Sequence, residues 1–330
     1  MDNYQQVLLQ MQEFGIELLD KNLPLRVDTP KRVTCGKGGK DWYRLYTFRP
    51  DAGGCYIVGS FGTYRHGGSF AKVQVDWKPL SEAERSRMAA ERLAARAAGE
   101  VKRQEMAALA AMDAAELLTS ASRTGHSPYL ERKQVAGESC RYLGDGTLVI
   151  PLMRYDLPVA DRLQAVQRIL PSGQKYFSTG FGKPGCAVRL GQISADPFMV
   201  LVCEGYATGL SVRMATDKRI PVYVALDAGN LAHVVPLLSK LYPCTRLLIC
   251  ADDDWLTRDQ HTQALVNPGL TAARAIARKV AGCDIVWPIF KPKTREAGDT
   301  DFNDLHVREG LDAVRRQLAG VVAAMGRRYG

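Results

Sequence analysis

Closely spaced cysteines are missing from this sequence. Its eight cysteines form no CxxC pair, and only five histidines accompany them. A structural zinc site takes four ligands that usually come in such pairs, so no zinc is expected here. The cysteines also give no disulfide framework of the kind found in short secreted chains, and we predict that they are reduced thiols.

Long apolar runs are missing as well. No unbroken run approaches the ~20 apolar residues that cross a bilayer, so no membrane partner is expected. The first residues, MDNYQQVLLQMQEF, include acids and no basic segment, unlike a secretory signal. We therefore predict a cytoplasmic protein. The glycine-rich segment CGKGGK at 35–40 lacks the GxxxxGK[ST] spacing of a nucleotide-binding P-loop, which excludes a helicase motor within this sequence.

What the sequence does contain is typical of a folded protein with a basic surface. The chain has 330 residues, 46% of them hydrophobic and 24% charged, which leaves room for two domains by the usual ~100–200 residues per domain. Lysine and arginine number 44 against 35 acidic residues, for a net charge of +9. Such an excess favours polyanionic partners, including nucleic acids.

Composition divides the chain into four segments. The first is β-rich, the second is rich in Ala, Arg and Glu and predicts a long helix, and the third has short strands separated by Gly and Pro. In the fourth, strands alternate with helices, which predicts an α/β fold with a parallel sheet flanked by helices. We predict a small β-rich N-terminal domain, a helical linker, an α+β subdomain and the α/β domain, over residues 1–80, 81–119, 120–196 and 197–330. Packing of the helix along one domain is an equally good interpretation.

Acidic residues follow three of the predicted strands in the last segment. Glu204 follows the first strand, Asp252 and Asp254 follow the third, and Asp301 and Asp304 follow the last. Ligands collect at the carboxyl ends of strands in such sheets, so we expect these acids to meet at one edge. Converging carboxylates repel one another unless a cation neutralises them, and Mg²⁺ or Mn²⁺ is the cation that oxygen ligands suit.

The three consecutive acids at 252–254 are not equivalent. Side chains alternate along an extended segment, so Asp252 and Asp254 can point one way while Asp253 turns aside. Glu204, at the turn between strand and helix, is a candidate general base or acid toward a hydroxyl. An alternative interpretation is that these acids only cap helices and solvate loop ends.

These motifs resemble a known family. Glu204-Gly205-Tyr206-Ala207-Thr208, the pair Asp252-x-Asp254 and Asp301-Phe302-Asn303-Asp304 are similar to the motifs of the Toprim domain. Toprim domains occur in DnaG-type primases, topoisomerases and some nucleases, which implies metal-dependent chemistry on nucleic-acid phosphates. The segments 127–133, 163–169, 173–177 and 267–271 look like the primases of phages and of conjugative or mobilisable plasmids.

The resemblance implies a DNA primase that makes short RNA primers on single-stranded DNA from NTPs, for a plasmid, phage or mobile element. A replicative helicase or another replication protein is then an expected partner. The zinc ribbon with which DnaG-type primases usually begin is not evident in residues 1–80. The implied catalytic residues are Glu204, Asp252 and Asp254, with Asp301 and Asp304 as further metal ligands. The implied nucleotide and template ligands are Lys133, Arg168, Lys175 and Lys183.

Aromatic residues are concentrated near the N-terminus, where segment 41–77 holds nine. Interleaved with arginines, they predict a stacking platform for single-stranded DNA, with Trp42, Tyr43, Arg44 and Arg65 as candidates. Aromatic residues also suit the core of a small β domain, and that interpretation is equally good.

Two other functions stay open from the sequence. One is a Toprim nuclease, in which water replaces the hydroxyl, although the basic, strand-rich segment 120–196 is unnecessary for cleavage. The other is an accessory DNA-binding protein without turnover. DNA cleavage without NTPs would favour the first, and metal-independent DNA binding would favour the second.

Overall fold

The computed structural model describes residues 1–51, 53–65, 68–75, 82–258 and 263–329. Trp77, one of the nine aromatic residues near the N-terminus, lies outside them. The chain divides into two compact units, Met1–Gly99 and Glu100–Gly330.

The first unit is a four-stranded antiparallel sheet with a helix on one face. Val7 and Met11, one helical turn apart, pack with Leu45, Ile57 and Phe61 in a buried cluster. Strands were expected from the β-rich composition of this segment and are present, whereas the helix was not predicted. The elements are α1 (Tyr4–Glu13), β1 (Val33–Cys35), β2 (Asp41–Phe48), β3 (Tyr56–Thr63) and β4 (Ser69–Lys72), and the strand order is β1-β2-β3-β4.

The long helix predicted from composition is present as α2 (Glu82–Ser120), and the division between the two units falls within it. Its C-terminal part is not a free linker. Ala114 is buried in a small cluster with Val149 and Val166 of the second unit. That end of the helix therefore packs along a domain, as the alternative interpretation proposed.

The second unit begins with a four-stranded antiparallel sheet in the order β5-β6-β7-β8. Its inward residues Leu148, Ile150 and Ile169 join the largest buried cluster of the unit. The elements are α3 (Pro128–Arg132), β5 (Arg141–Tyr142), β6 (Leu148–Met153), β7 (Leu163–Ile169) and β8 (Lys175–Phe177).

A five-stranded sheet follows, in the order β13-β12-β10-β11-β9. Four neighbouring strands run parallel, as predicted, and β9 pairs antiparallel with β11 at the edge. Because β9 precedes residue 197, this sheet includes chain that we assigned to the preceding subdomain. The strands are β9 (Val188–Leu190), β10 (Met199–Cys203), β11 (Val222–Val224), β12 (Arg246–Cys250) and β13 (Cys283–Val286).

Helices cover both faces of this sheet, and every residue of the central strand β10 is buried. Alternate residues of β10 enter two different clusters, with Leu201 and Cys203 on one face and Val200 and Val202 on the other. Such continuous apolar strands are typical of parallel sheets buried on both sides. The helices are α4 (Tyr206–Ala215), α5 (Ala228–Leu241), α6 (Pro268–Ala277), α7 (Phe302–Glu309) and α8 (Leu311–Tyr329). Across the described ranges, no helix is long and apolar enough to cross a bilayer.

Candidate active site at the carboxylate edge

The two central strands of the parallel sheet end side by side. Cys203 of β10 pairs with Cys250 of β12, so Glu204 and Asp252 both follow the same edge. Asp301 reaches this edge from the N-terminus of α7, where its Oδ2 accepts a hydrogen bond of 2.8 Å from Thr208 Oγ1 of α4. We call the five acids gathered here the carboxylate edge: Glu204, Asp252, Asp254, Asp301 and Asp304.

The acids of the edge lie close enough to perturb one another. Burial, followed by the charges of Asp254, Asp227 and Asp301, raises the pKa of Glu204 to about 7, although the Ala228 N–H donates a hydrogen bond that lowers it. Burial, followed by the charges of Asp301 and Glu204, raises the pKa of Asp252 well above its ordinary value. Like charges held together in this way favour a cation between them.

Among the residues that the structure describes, two oxygens of the edge have no hydrogen-bond partner. Glu204 Oε1 and Asp252 Oδ1 are buried and unpaired. By contrast, Asp301 accepts hydrogen bonds at both oxygens, from the N–H groups of Asn303 and Asp304 and from Thr208. A buried carboxylate oxygen without a partner is costly, so Glu204 and Asp252 have the lone pairs best suited to an incoming cation.

Asp254 completes the pair predicted from side-chain alternation. Its Oδ2 accepts a hydrogen bond of 2.9 Å from the N–H of Gly269, at the start of α6. A Cβ at Gly269 would lie 2.5 Å from the carbonyl oxygen of Asp252. The close approach of α6 to the acids therefore requires glycine at this position.

Asp253 turns away from the edge and is fully paired. Arg295 Nη1 donates to its Oδ2 at 2.7 Å, and Arg295 Nη2 donates to its carbonyl oxygen at 2.8 Å. Asn267, which caps α6, donates to the other carboxylate oxygen at 2.6 Å. Asp253 thus anchors the loop that carries its two neighbours, in agreement with the predicted alternation.

The residue types at this edge fit a hard divalent cation. Within the part of the chain that the structure describes, no three His, Cys, Asp or Glu side chains form a metal-binding group by themselves. Magnesium requires no such group, because it keeps several waters and commonly takes one or two carboxylates together with substrate phosphates. Glu204 and Asp252, with their unpaired oxygens, are the residues that would hold it.

Two of the four predicted basic ligands contact acids at or beside the edge. Lys133 Nζ lies 3.4 Å from Asp304 Oδ1, and Lys183 forms an ion pair with Asp227. Lys175 pairs with Ile169, while Arg168 on the next position of β7 pairs with Tyr176. Lys175 and Arg168 are exposed and lie on opposite faces of their sheet. Their roles, and those of both other lysines, stay predictions.

Asp227 is a residue of the site that sequence reasoning missed. It caps α5 through a hydrogen bond from the Asn230 N–H at 2.8 Å, and its charge helps to raise the pKa of Glu204. Asp227 follows a strand just as the predicted acids do, so the same rule could have found it.

The N-terminal candidates divide between the core and the surface. Tyr43 is a correction: it is 1% exposed and its hydroxyl accepts a hydrogen bond from the Arg26 N–H, because it points to the face covered by α1. Trp42 is also buried, beneath the guanidinium of Arg32 at 3.8 Å. Arg65 pairs with Asp41 at 3.2 Å, and only Arg44 of the four is exposed.

Residues 199–312, which carry all five acids, match the family model of the Toprim domain. The chain carries a Toprim domain. This confirms the fold implied by the resemblance and places the carboxylate edge within that domain.

Sequence similarity to known proteins extends beyond the Toprim domain. Two Escherichia coli proteins named DNA primase TraC are 34% and 31% identical to the chain over 234 and 237 residues, each covering 67% of it. The chain spans only 21% and 15% of their lengths. A solved DnaG primase catalytic domain bound to single-stranded DNA is 14% identical, covers 67% of this chain and 80% of its own, and superposes with a TM-score of 0.40.

Proposed function

We propose that this chain is a DNA primase that makes short RNA primers on single-stranded DNA, using NTPs and Mg²⁺ or Mn²⁺. The proposal is supported by the Toprim domain together with the identity to proteins named DNA primase. The observation that carries it is the carboxylate edge, where two buried oxygens, Glu204 Oε1 and Asp252 Oδ1, are left without a partner.

In the proposed reaction, the 3′-hydroxyl oxygen of one nucleotide bonds to the α-phosphorus of the next. The bond from that phosphorus to the bridging oxygen breaks, and pyrophosphate leaves. Bound Mg²⁺ would neutralise the acids and the phosphates in this step. The hydroxyl proton needs an acceptor, and Glu204 either accepts it or helps to hold the ion. A carboxylate whose pKa is raised to about 7 suits the first role near neutral pH.

Lysines near the edge would bind the phosphates. Lys183 and Lys133 are held by Asp227 and Asp304, so each can exchange a carboxylate for a phosphate without a large displacement. A positive charge at either position would stabilise the negative charge that develops on the leaving pyrophosphate. Lys175 and Arg168 would contact the template. A replicative helicase or another replication protein is the proposed partner.

The test is a primer-synthesis assay with a single-stranded DNA template, labelled NTPs and Mg²⁺. We expect short RNA products, and Asp252→Asn should reduce their synthesis by about 10²–10³-fold or more, because it weakens the grip on the ion. Asp113→Asn is the matched control, since Asp113 is exposed on α2 and follows none of the strands that carry the five acids.

Two outcomes would contradict the proposal. Cleavage of DNA without added NTPs would identify a nuclease instead. An Asp252→Asn variant that binds and processes nucleic acid as the unaltered protein does would show that the carboxylate edge has no catalytic role.

A further inference from the structure

The sheet of the first unit has an outer face that α1 does not cover. Along β2, Tyr43 and Leu45 point into the buried cluster, so Trp42, Arg44 and Tyr46 point the other way. The same alternation places Phe70 and Lys72 outward on β4, because the intervening Ala71 packs against the cluster. We call Trp42, Arg44, Tyr46, Ser60, Phe70 and Lys72 the outer face.

Strand register arranges these residues in rows across the sheet. Trp42 pairs with Gly62, which pairs with Phe70, and this forms one aromatic row. In the next row, Arg44 pairs with Ser60, which pairs with Lys72. Aromatic and basic groups therefore alternate across adjacent positions of one surface.

Gly62 lies between Trp42 and Phe70 in the aromatic row and has no side chain to fill the space between them. A Cβ at this position would lie 2.3 Å from the Ser69 carbonyl oxygen and 2.9 Å from the Cβ of Phe70. Any side chain at Gly62 would therefore displace β4 or fill the space between Trp42 and Phe70. The glycine leaves a depression between two aromatic side chains.

Exposed aromatic groups lie beside this depression. Phe70 is 66% exposed and Tyr46 is 37% exposed, and both are unusual for aromatic side chains in a small domain. Trp42 is buried and instead supports the guanidinium of Arg32, which lies 3.8 Å from the ring centroid. The Arg44 guanidinium similarly lies 5.5 Å from the centroid of Tyr46.

Among the residues that the structure describes, four cations and no acid line the cavity over this face, which has a volume of about 660 Å³. Among the described residues, none of these four is in an ion pair with a carboxylate. Elsewhere in the unit, Arg65 and Arg87 do have such partners, Asp41 and Asp51. The lining cations are Arg32, Arg44, Lys72 and Arg96.

We propose that the outer face binds single-stranded nucleic acid, with bases stacked on Phe70 and Tyr46 and phosphates on the surrounding cations. Unpaired bases expose the planar surfaces that such side chains stack on, and a cationic groove without acids follows a phosphate backbone. Base pairs in a duplex are already stacked on one another, so a duplex offers this face its phosphates alone. The proposal does not depend on primase activity, since it uses none of the acids of the carboxylate edge.

The experiment measures binding of the full chain to a labelled oligonucleotide by fluorescence anisotropy, with EDTA present and no NTPs. Phe70→Ala should weaken binding to single-stranded DNA by about tenfold, the loss of one stacked base. Lys72→Ala should reduce the slope of log affinity against log salt by about 0.7, the loss of one phosphate contact.

Two control variants test whether a loss of binding is specific to the outer face or follows from removing any exposed aromatic or basic side chain. Phe198→Ala removes a side chain that is 61% exposed in the second unit, and Lys21→Ala removes an exposed charge of the first unit outside the cavity. Both should bind as the unaltered protein does. Asp252→Asn should also bind normally under these conditions, which distinguishes failure of this proposal from failure of the proposed function.

Other nucleic acids define the class of ligand. Single-stranded RNA of the same length tests whether the sugar matters, and either preference between DNA and RNA supports the face as a single-strand site. Duplex binding as tight as single-strand binding would overturn the proposal. So would Phe70→Ala and Lys72→Ala variants that bind like their two controls, provided that circular dichroism shows all four to be folded.

Discussion

The carboxylate edge and the outer face represent two ways in which a sheet can present chemistry. At the edge, acids that follow different strands converge because parallel strands end together, and the strand residues that lead up to them, Leu247–Cys250 and all of β10, are buried apolar core. On the outer face, the chemical groups belong to the strands and depend on which side each residue faces. In the parallel sheet, residues that are far apart in the sequence meet at one edge because the strands end together. In the antiparallel sheet, alternate residues of neighbouring strands lie side by side over one face.

The largest expected effect is a substitution that inactivates the carboxylate edge and leaves nucleic-acid binding by the outer face unchanged. Glu204→Gln should lower primer synthesis by about 10²–10⁴-fold, because the amide can neither accept the hydroxyl proton nor neutralise an ion. Measured without metal, its affinity for single-stranded DNA should be unchanged. Glu116→Gln, an exposed position on α2, is the control. Activity of Glu204→Gln within threefold of the control would remove Glu204 from the reaction.

A smaller effect should follow from breaking the anchor beside the edge. Arg295→Met leaves the charge of Asp253 without its partner, although only 13% of that side chain is exposed. We expect a loss of about 3–5 kcal/mol in the free energy of unfolding, measured by urea denaturation and circular dichroism. Arg103→Met, which breaks an exposed pair with Glu100, should cost about 0–1 kcal/mol.

A double variant sharpens this prediction. In Arg295→Met/Asp253→Asn, the buried charge is gone together with its partner, so part of the lost stability should return. If the double variant is no more stable than Arg295→Met, the arginine contributes through packing on Trp255 and Phe290, over whose rings its guanidinium lies, and the charge of Asp253 is irrelevant.

The smallest expected effect concerns pH and the metal-free edge. Because the pKa of Glu204 is raised to about 7 in the folded chain, protonation favours folding, and its contribution grows as the pH falls from 8 to 6. We expect the metal-free protein to gain about 1 kcal/mol over this range relative to Glu204→Gln. Saturating Mg²⁺ should abolish this gain, since bound cation keeps the carboxylate charged in the folded chain across the whole range. An identical pH profile for both proteins would contradict the crowding of charges at the edge.

The sequence predicted the edge better than it predicted the face, for a physical reason. The position of Glu204, Asp252 and Asp254 depends only on where buried strands end, and apolar runs such as MVLVC mark those ends clearly. The orientation of Asp253 followed from side-chain alternation, and the structure agrees. Asp227 directly follows the apolar run VYVAL in the same way, so the rule that found the other acids applies to it as well.

On the N-terminal sheet, composition identified the right residue types without their orientation. Trp42 and Tyr43 are adjacent on one strand, so they cannot lie on the same face, and only the position of α1 decides which face is core. The helix itself carried a weak signal, with two buried residues four apart in a polar segment. Strand β9 was missed because three residues between loops give too short a pattern to recognise.

Asp301 both caps α7 and belongs to the carboxylate edge. Its carboxylate is held by two N–H groups of α7 and by the hydroxyl of Thr208, so its rotamer is set before any ligand arrives. Ordering a side chain on binding ordinarily costs about 0.5–1.5 kcal/mol of conformational entropy. The carboxylate edge avoids that cost at this position, because the hydrogen bonds of Asp301 already fix the orientation of its carboxylate.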